Sequence, residues 1–205
     1  MPRQNRVTPF GEIVAIPERG AWTGNRGCLH DGQGRLGRAR WRSPAWITCR
    51  LAWKGWRRPI MAPGRWTELF FLDEATSFAA GHRPCAYCRR EDYRRFAQAV
   101  AVEFGGAVPR APAIDARLHA ERLDGRAKRL APHRLGDLPD GAMLALDGAA
   151  WLVWRGALRR WSPAGYGPRL AADPDRIVEA LTPGLAMAAM RTGYSPQVHA
   201  TAGEY

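Results

Sequence analysis

The chain has 205 residues with 31 basic and 19 acidic side chains, a formal charge of +12 and a pI near 10.7, a balance that suits polyanionic partners. It is long enough to bury a core unaided, and four cysteines are too few for a disulfide-stapled scaffold. There is no run of 18 apolar residues, and Met1-Pro2-Arg3-Gln4-Asn5-Arg6 does not lead into an apolar signal core; no membrane attachment and a cytoplasmic location, where thiols stay reduced, are therefore expected.

In chain order, Glu12 to Ile16 and Ile47 to Trp53 read as short strands between Gly and Pro breakers. Asp73 to Ala80 reads as a short helix. Arg90 to Phe104 reads as a second, with Tyr93, Phe96, Ala97, Val100 and Phe104 at helical spacing and Gly105-Gly106 as its stop. Val108 to Pro112 reads as a linker, which divides the chain into residues 1–108 and 109–205. Ile114 to Leu123 follows as an amphipathic helix with Leu118 and Leu123 inward and Asp115 and His119 on one face. Beyond Leu138 the pattern turns to strands. Ala142 to Leu146 and Ala150 to Trp154 flank Asp147-Gly148, two residues that tolerate positive φ and so favour a tight hairpin. Leu158 to Trp161 adds a strand, and Gly184 to Arg191 a last helix.

The densest chemical signal is Arg83-Pro84-Cys85-Ala86-Tyr87-Cys88. Two sulfurs separated by two residues can chelate one tetrahedral ion, Pro84 stiffens the approach, and the helix that follows favours thiolate charge at its N-terminus. The other cysteines, Cys28 and Cys49, are candidates to complete a Zn2+ site, with His30 and His82 as substitutes. A Cys-x-x-Cys at a helix start is the arrangement of a treble-clef zinc finger.

The run Ala75 to Cys88, preceded by Leu69-Phe70-Phe71-Leu72 and by Asp73 as helix N-cap, resembles the second half of the zinc-binding domain of Ada-type adaptive-response DNA repair proteins, a local match around residues 68–90. The resemblance implies a zinc held by thiolates and a role in DNA repair. It also implies that one of the first two cysteines would be the thiolate to test as a methyl acceptor. Cys28 and Cys49 stand twenty residues apart, however, whereas the family's first pair is close together, so methyl transfer is not carried over.

Between Arg19 and Arg65 ten Arg and one Lys face a single acid, Asp31, and six of the nine Trp lie in or beside this segment. Guanidinium groups grip phosphates and rings stack on bases, so the segment reads as a nucleic-acid surface. Its expected contacts are Arg50, Trp53, Lys54, Trp56, Arg57, Arg58 and Arg65, joined by Arg89 and Arg90. The 109–205 portion offers a second candidate. Asp115, His119 and Glu121 could activate water in a metal-dependent nuclease, and Lys128, among Arg126 and Arg129, could serve as an amine nucleophile. The expectation is an α+β protein with an N-terminal Ada-like, treble-clef zinc module and a small antiparallel β-rich C-terminal portion. It would bind nucleic acid, DNA first, in repair or processing. The rivals are the nuclease and a non-catalytic RNA-binding or assembly protein.

Overall fold

The computed structural model describes residues 1–55 and 59–203. The fold is mixed α and β, with four α-helices among the described residues. The strands of the N-terminal half are β1 (Arg6–Val7), β2 (Ile13–Val14), β3 (Trp22–Asn25), β4 (Ile47–Arg50), β5 (Leu69–Phe71) and β6 (Arg83–Pro84), with helix α1 (Glu74–Ala79) between the last two. They form one sheet in the order β2-β1-β5-β3-β4-β6. Helices α2 (Arg90–Ala99) and α3 (Ala111–Arg122) follow, then the short pair β7 (Leu123–Asp124) and β8 (Ala127–Lys128). The C-terminal portion is β-rich. Strands β9 (Ala131–Arg134), β10 (Met143–Leu146), β11 (Ala149–Trp154), β12 (Ala157–Ser162), β13 (Gly165–Leu170) and β14 (Ile177–Ala180) form a sheet in the order β13-β12-β11-β10-β14-β9, and α4 (Gly184–Arg191) packs on it.

Local chemistry explains several boundaries. Asp73 caps α1 by accepting from the Thr76 amide at 2.8 Å, and Gly81, at φ +92°, ends the helix in a left-handed turn that closes His82 N onto Ser77 O. The expected second helix is shorter than its apolar pattern. α2 stops at Ala99, and Ala101–Phe104 continue as a tighter 3-10 turn. The expected linker is partly helix: α3 opens at Ala111, because Pro112 in a first turn lacks only an amide that would have no partner there. The Asp147-Gly148 hairpin forms with both residues at positive φ and Leu146 opposite Ala149.

The largest core joins Phe78 of α1, Phe96 and Val100, Ile114 and Leu118 of α3, Leu144 and Val178 of the C-terminal sheet, and α4 with Tyr194. Residues on both sides of position 108 share it. Each fully buried phenylalanine or leucine here contributes on the order of 2 kcal/mol relative to exposure. A second core, Val7, Ile13, Leu69 and Phe71, lies under the N-terminal sheet.

Candidate metal centre

β4 and β6 pair in parallel, Ile47 with Arg83 and Thr48 with Pro84, and the Cys85 amide donates to Thr48 O at 2.9 Å. This pairing carries Cys85 alongside Cys49. The chain then turns, with Arg89 N–H donating to Cys85 O and Tyr87 N–H donating to the Cys85 sulfur at 3.4 Å, which returns Cys88 to the same point before α2 begins. The sulfurs of Cys49, Cys85 and Cys88 all lie within 4.8 Å of one another. A tetrahedral ion with bonds of about 2.3 Å needs sulfurs about 3.8 Å apart, so a small contraction suffices to hold one.

Without an ion the three thiols compete for one negative charge. Hydrogen bonds from Cys49 and then Cys88 push Cys85 down to about 2, while the same contact, a second one with Cys88, and burial push Cys49 strongly upward. Cys88 is also raised, its lowering contact with Cys49 being outweighed by Cys85 and by burial. A divalent cation removes this conflict by favouring all three thiolates together. Cys28 is not part of the cluster: it is exposed, and its sulfur faces His30 O at 3.7 Å. The histidines are engaged elsewhere. His30 bonds Thr67 Oγ1 and Ala62 O, and His82, fully buried, accepts from Arg26 Nε at 3.2 Å while its Nδ1 faces Ser77 O. Burial, followed by the charges of Arg26 and Arg122, holds the His82 pKa well below its ordinary value.

The cluster opens into a cleft of about 550 Å³. One face of the N-terminal sheet forms its floor: Thr23 pairs with both Cys49 and Phe70, and Asn25 pairs with Ile47. Glu68 joins them one residue before β5. The walls are Arg50, Leu51, Trp53, Ile60, Trp66 and Tyr87. Tyr87, 63% exposed, and Trp53 lie with ring centroids 4.5 Å apart at 57°. On the opposite face of the sheet a side chain at Gly24 would meet the Phe71 ring at 3.0 Å, besides the Ile47 O of the neighbouring strand at 2.1 Å.

Of the residues expected to touch nucleic acid, Arg50, Lys54, Arg65 and Arg90 are exposed, and Lys54 lies over the Trp53 ring at 4.7 Å. Trp56, Arg57 and Arg58 fall outside the described residues. Arg89 needs correcting as a surface contact. It is 1% exposed, pairs with Glu74 at 2.6 Å and Asp92 at 2.9 Å, and lies over Trp22 at 4.1 Å, so it is a core cation at the start of α2.

The residues of the second candidate site are drawn into structural contacts. Asp115 accepts both Nε and Nη2 of Arg83 at 2.8 Å; Glu121 pairs with Arg117 and accepts the Leu185 amide at 2.7 Å, capping α4. His119 accepts from Arg122 at 2.8 Å and meets Trp41 edge-on, and Lys128 donates to Ala79 O at 2.5 Å. Sequence reasoning missed two site residues, Asn25 and Glu68. Their signal was the alternation of β3 and β5, which puts them on the same face as Thr23 and Phe70. No model of a known family, no curated protein and no solved structure matches this chain.

Proposed function

We propose that this is a zinc-dependent DNA-binding protein acting in DNA repair or processing. Its ion would be held by Cys49, Cys85 and Cys88, with the fourth coordination position turned to the cleft. The observation that carries this reading is the convergence of three sulfurs in a cleft walled by aromatic rings and Arg50. A structural zinc is closed by four protein ligands, whereas three protein ligands and an open position mark a zinc that meets a further ligand. Zinc is the ion of choice because soft thiolates in a tetrahedral set favour it. The protein surface fits a polyanion: Arg19, Arg35, Arg38, Arg40, Arg42, Arg50, Lys54 and Arg65 are all exposed. The local resemblance to Ada-type domains around Cys85 and Cys88 supports DNA over RNA and repair over assembly.

Purified protein should carry one equivalent of zinc, and Cys49→Ser or Cys85→Ser should lose it. Binding to single-stranded and duplex DNA should weaken steeply with salt, with a log-log slope near −0.9 per neutralised phosphate on duplex. A protein without bound metal, or an affinity indifferent to salt, would overturn the reading. Chelator-sensitive cutting of DNA that His119→Ala and Glu121→Ala abolish would instead favour the α3 nuclease.

A further inference from the structure

We infer that the cleft above the three sulfurs receives one unpaired nucleobase bearing an exocyclic amine, cytosine or adenine, and that Asn25 and Glu68 read its edge. The inference rests on the nucleic-acid reading above and names what that site would select. Three observations lead to it.

The first is shape. At about 550 Å³ the cleft is in the range of small-molecule sites and far too small for a duplex. The second is its walls: Trp53, Trp66, Tyr87 and Phe70 line the cleft, with Trp53 and Tyr87 already in contact at 4.5 Å and Arg6 over the Phe70 ring, and a base that joins such an aromatic cluster is held by about 1 to 3 kcal/mol. Arg50, exposed at the end of β4, lines the same cleft and offers a guanidinium fork to a phosphate joined to that base.

The third observation is the pair of polar groups on the floor. The Asn25 Oδ1 accepts the Gly27 amide at 3.2 Å, which leaves its Nδ2 as a donor. Glu68 is 8% exposed, and its Oε2 accepts the Met61 amide at 2.7 Å, which leaves Oε1 as an acceptor. The register that sets Gly24 against Leu69 continues to set Asn25 beside Glu68. A donor next to an acceptor complements the ring nitrogen and amine of cytosine or adenine, and a carboxylate accepting from an amine is an established way to read cytosine.

Because the Met61 amide needs an acceptor at position 68, Glu68→Gln will keep its amide oxygen on Met61 and turn its NH2 into the cleft. The substitution preserves the fold contact and reverses the polarity of the reading group.

The experiment uses the metal-loaded full chain and short single-stranded oligo(dC), oligo(dA) and oligo(dT), with tryptophan fluorescence as the readout. Wild type should bind oligo(dC) and oligo(dA) about tenfold or more tightly than oligo(dT). Glu68→Gln, at unchanged zinc content and unchanged melting temperature, should lose or invert that preference. Asn25→Asp, which keeps an oxygen for Gly27 but removes the donor, should weaken all three. Equal affinity of the wild type for oligo(dC) and oligo(dT), or a preference that survives Glu68→Gln, overturns the inference. Metal content and salt dependence are measured on the same samples, so a protein that carries zinc and binds DNA by charge but ignores base identity sinks this inference and leaves the broader reading standing.

Discussion

Trp46 is held between two guanidiniums, Arg26 and Arg122, each centred 3.9 Å from its rings, and His82 lies against the same ring. Burial, then mutual repulsion between Arg26 and Arg122, lowers Arg26 to about 9; Arg122 is lowered to about 9 chiefly by burial. Lys128, half-buried as a residue, donates its ammonium to Ala79 O, and burial followed by the charges of Arg26 and Arg122 brings it to about 7. Its unfolded value is 10.5, so between about pH 7 and 10.5 the unfolded chain holds a proton that the folded chain has released. Stability therefore rises with pH through that window, at up to about 1.4 kcal/mol per pH unit, and the full penalty applies below pH 7. Urea unfolding from pH 7 to 9 should show this slope in the wild type and lose most of it in Lys128→Met; a flat wild-type profile would remove Lys128 as its source. At this scale the sequence was a poor guide. Arg26, Arg83, Arg89 and Arg122 are indistinguishable in type from the exposed arginines, and only tertiary carboxylates, carbonyls and rings decide which ones are buried.

Among the elements, pattern and turn chemistry were legible where one local rule dominated. Asp147-Gly148 announced its hairpin, and α4 runs over Gly184–Arg191 as its apolar residues indicate. The next hairpin was hidden, because Arg155-Gly156 makes the same left-handed turn, φ 50° and 71°, with an arginine where Asn or Asp would signal it. Arg155→Asn should thus stabilise the protein by about 0.5 to 1 kcal/mol, read as a higher urea midpoint, since asparagine tolerates positive φ better. The N-terminus of α1 carries the opposite kind of residue, one that does more than its local motif suggests. Asp73 caps the helix and also accepts Tyr166 Oη at 2.8 Å and His199 N at 2.9 Å, joining α1, β13 and the C-terminal tail. Asp73→Ala leaves those donors buried without an acceptor and should lower stability by about 3 to 5 kcal/mol in thermal unfolding. The cysteine cluster was half legible. Cys-x-x-Cys fixed two of its members by spacing, but the third depended on the parallel pairing of β4 with β6, a long-range contact that spacing cannot reveal, and so Cys28 and Cys49 could not be told apart.

For the whole molecule, the decisive feature is a core that ignores the expected division near residue 108. Phe78, Phe96 and Val100 meet Ile114, Leu118, Leu144 and Tyr194, and Glu74 accepts Tyr194 Oη at 2.7 Å and Gln197 N at 3.0 Å. The full chain should then unfold in one cooperative transition, while residues 1–108 expressed alone should show no sharp melt, having lost the partners of three buried aromatic and aliphatic side chains. A well-folded 1–108 fragment would show that the N-terminal sheet stands by itself. Charge at this scale was readable from composition, since most of the basic segment does lie on the surface. No helix among the described residues is long and apolar enough to cross a membrane.

The parallel pair β4 and β6 is two residues long, at the edge of its sheet, and the sulfurs close that seam. An ion there would act as a removable fastener on the chain between Cys49 and Cys85, which supplies the cleft-wall residues Arg50, Leu51, Trp53, Ile60 and Trp66. The shape of the cleft would become a function of metal supply: loaded, the wall is clamped; stripped, it frays while the helical core persists. Limited tryptic proteolysis after chelation should accordingly accelerate cleavage at Arg50, Lys54 and Arg65 first and spare the C-terminal sheet.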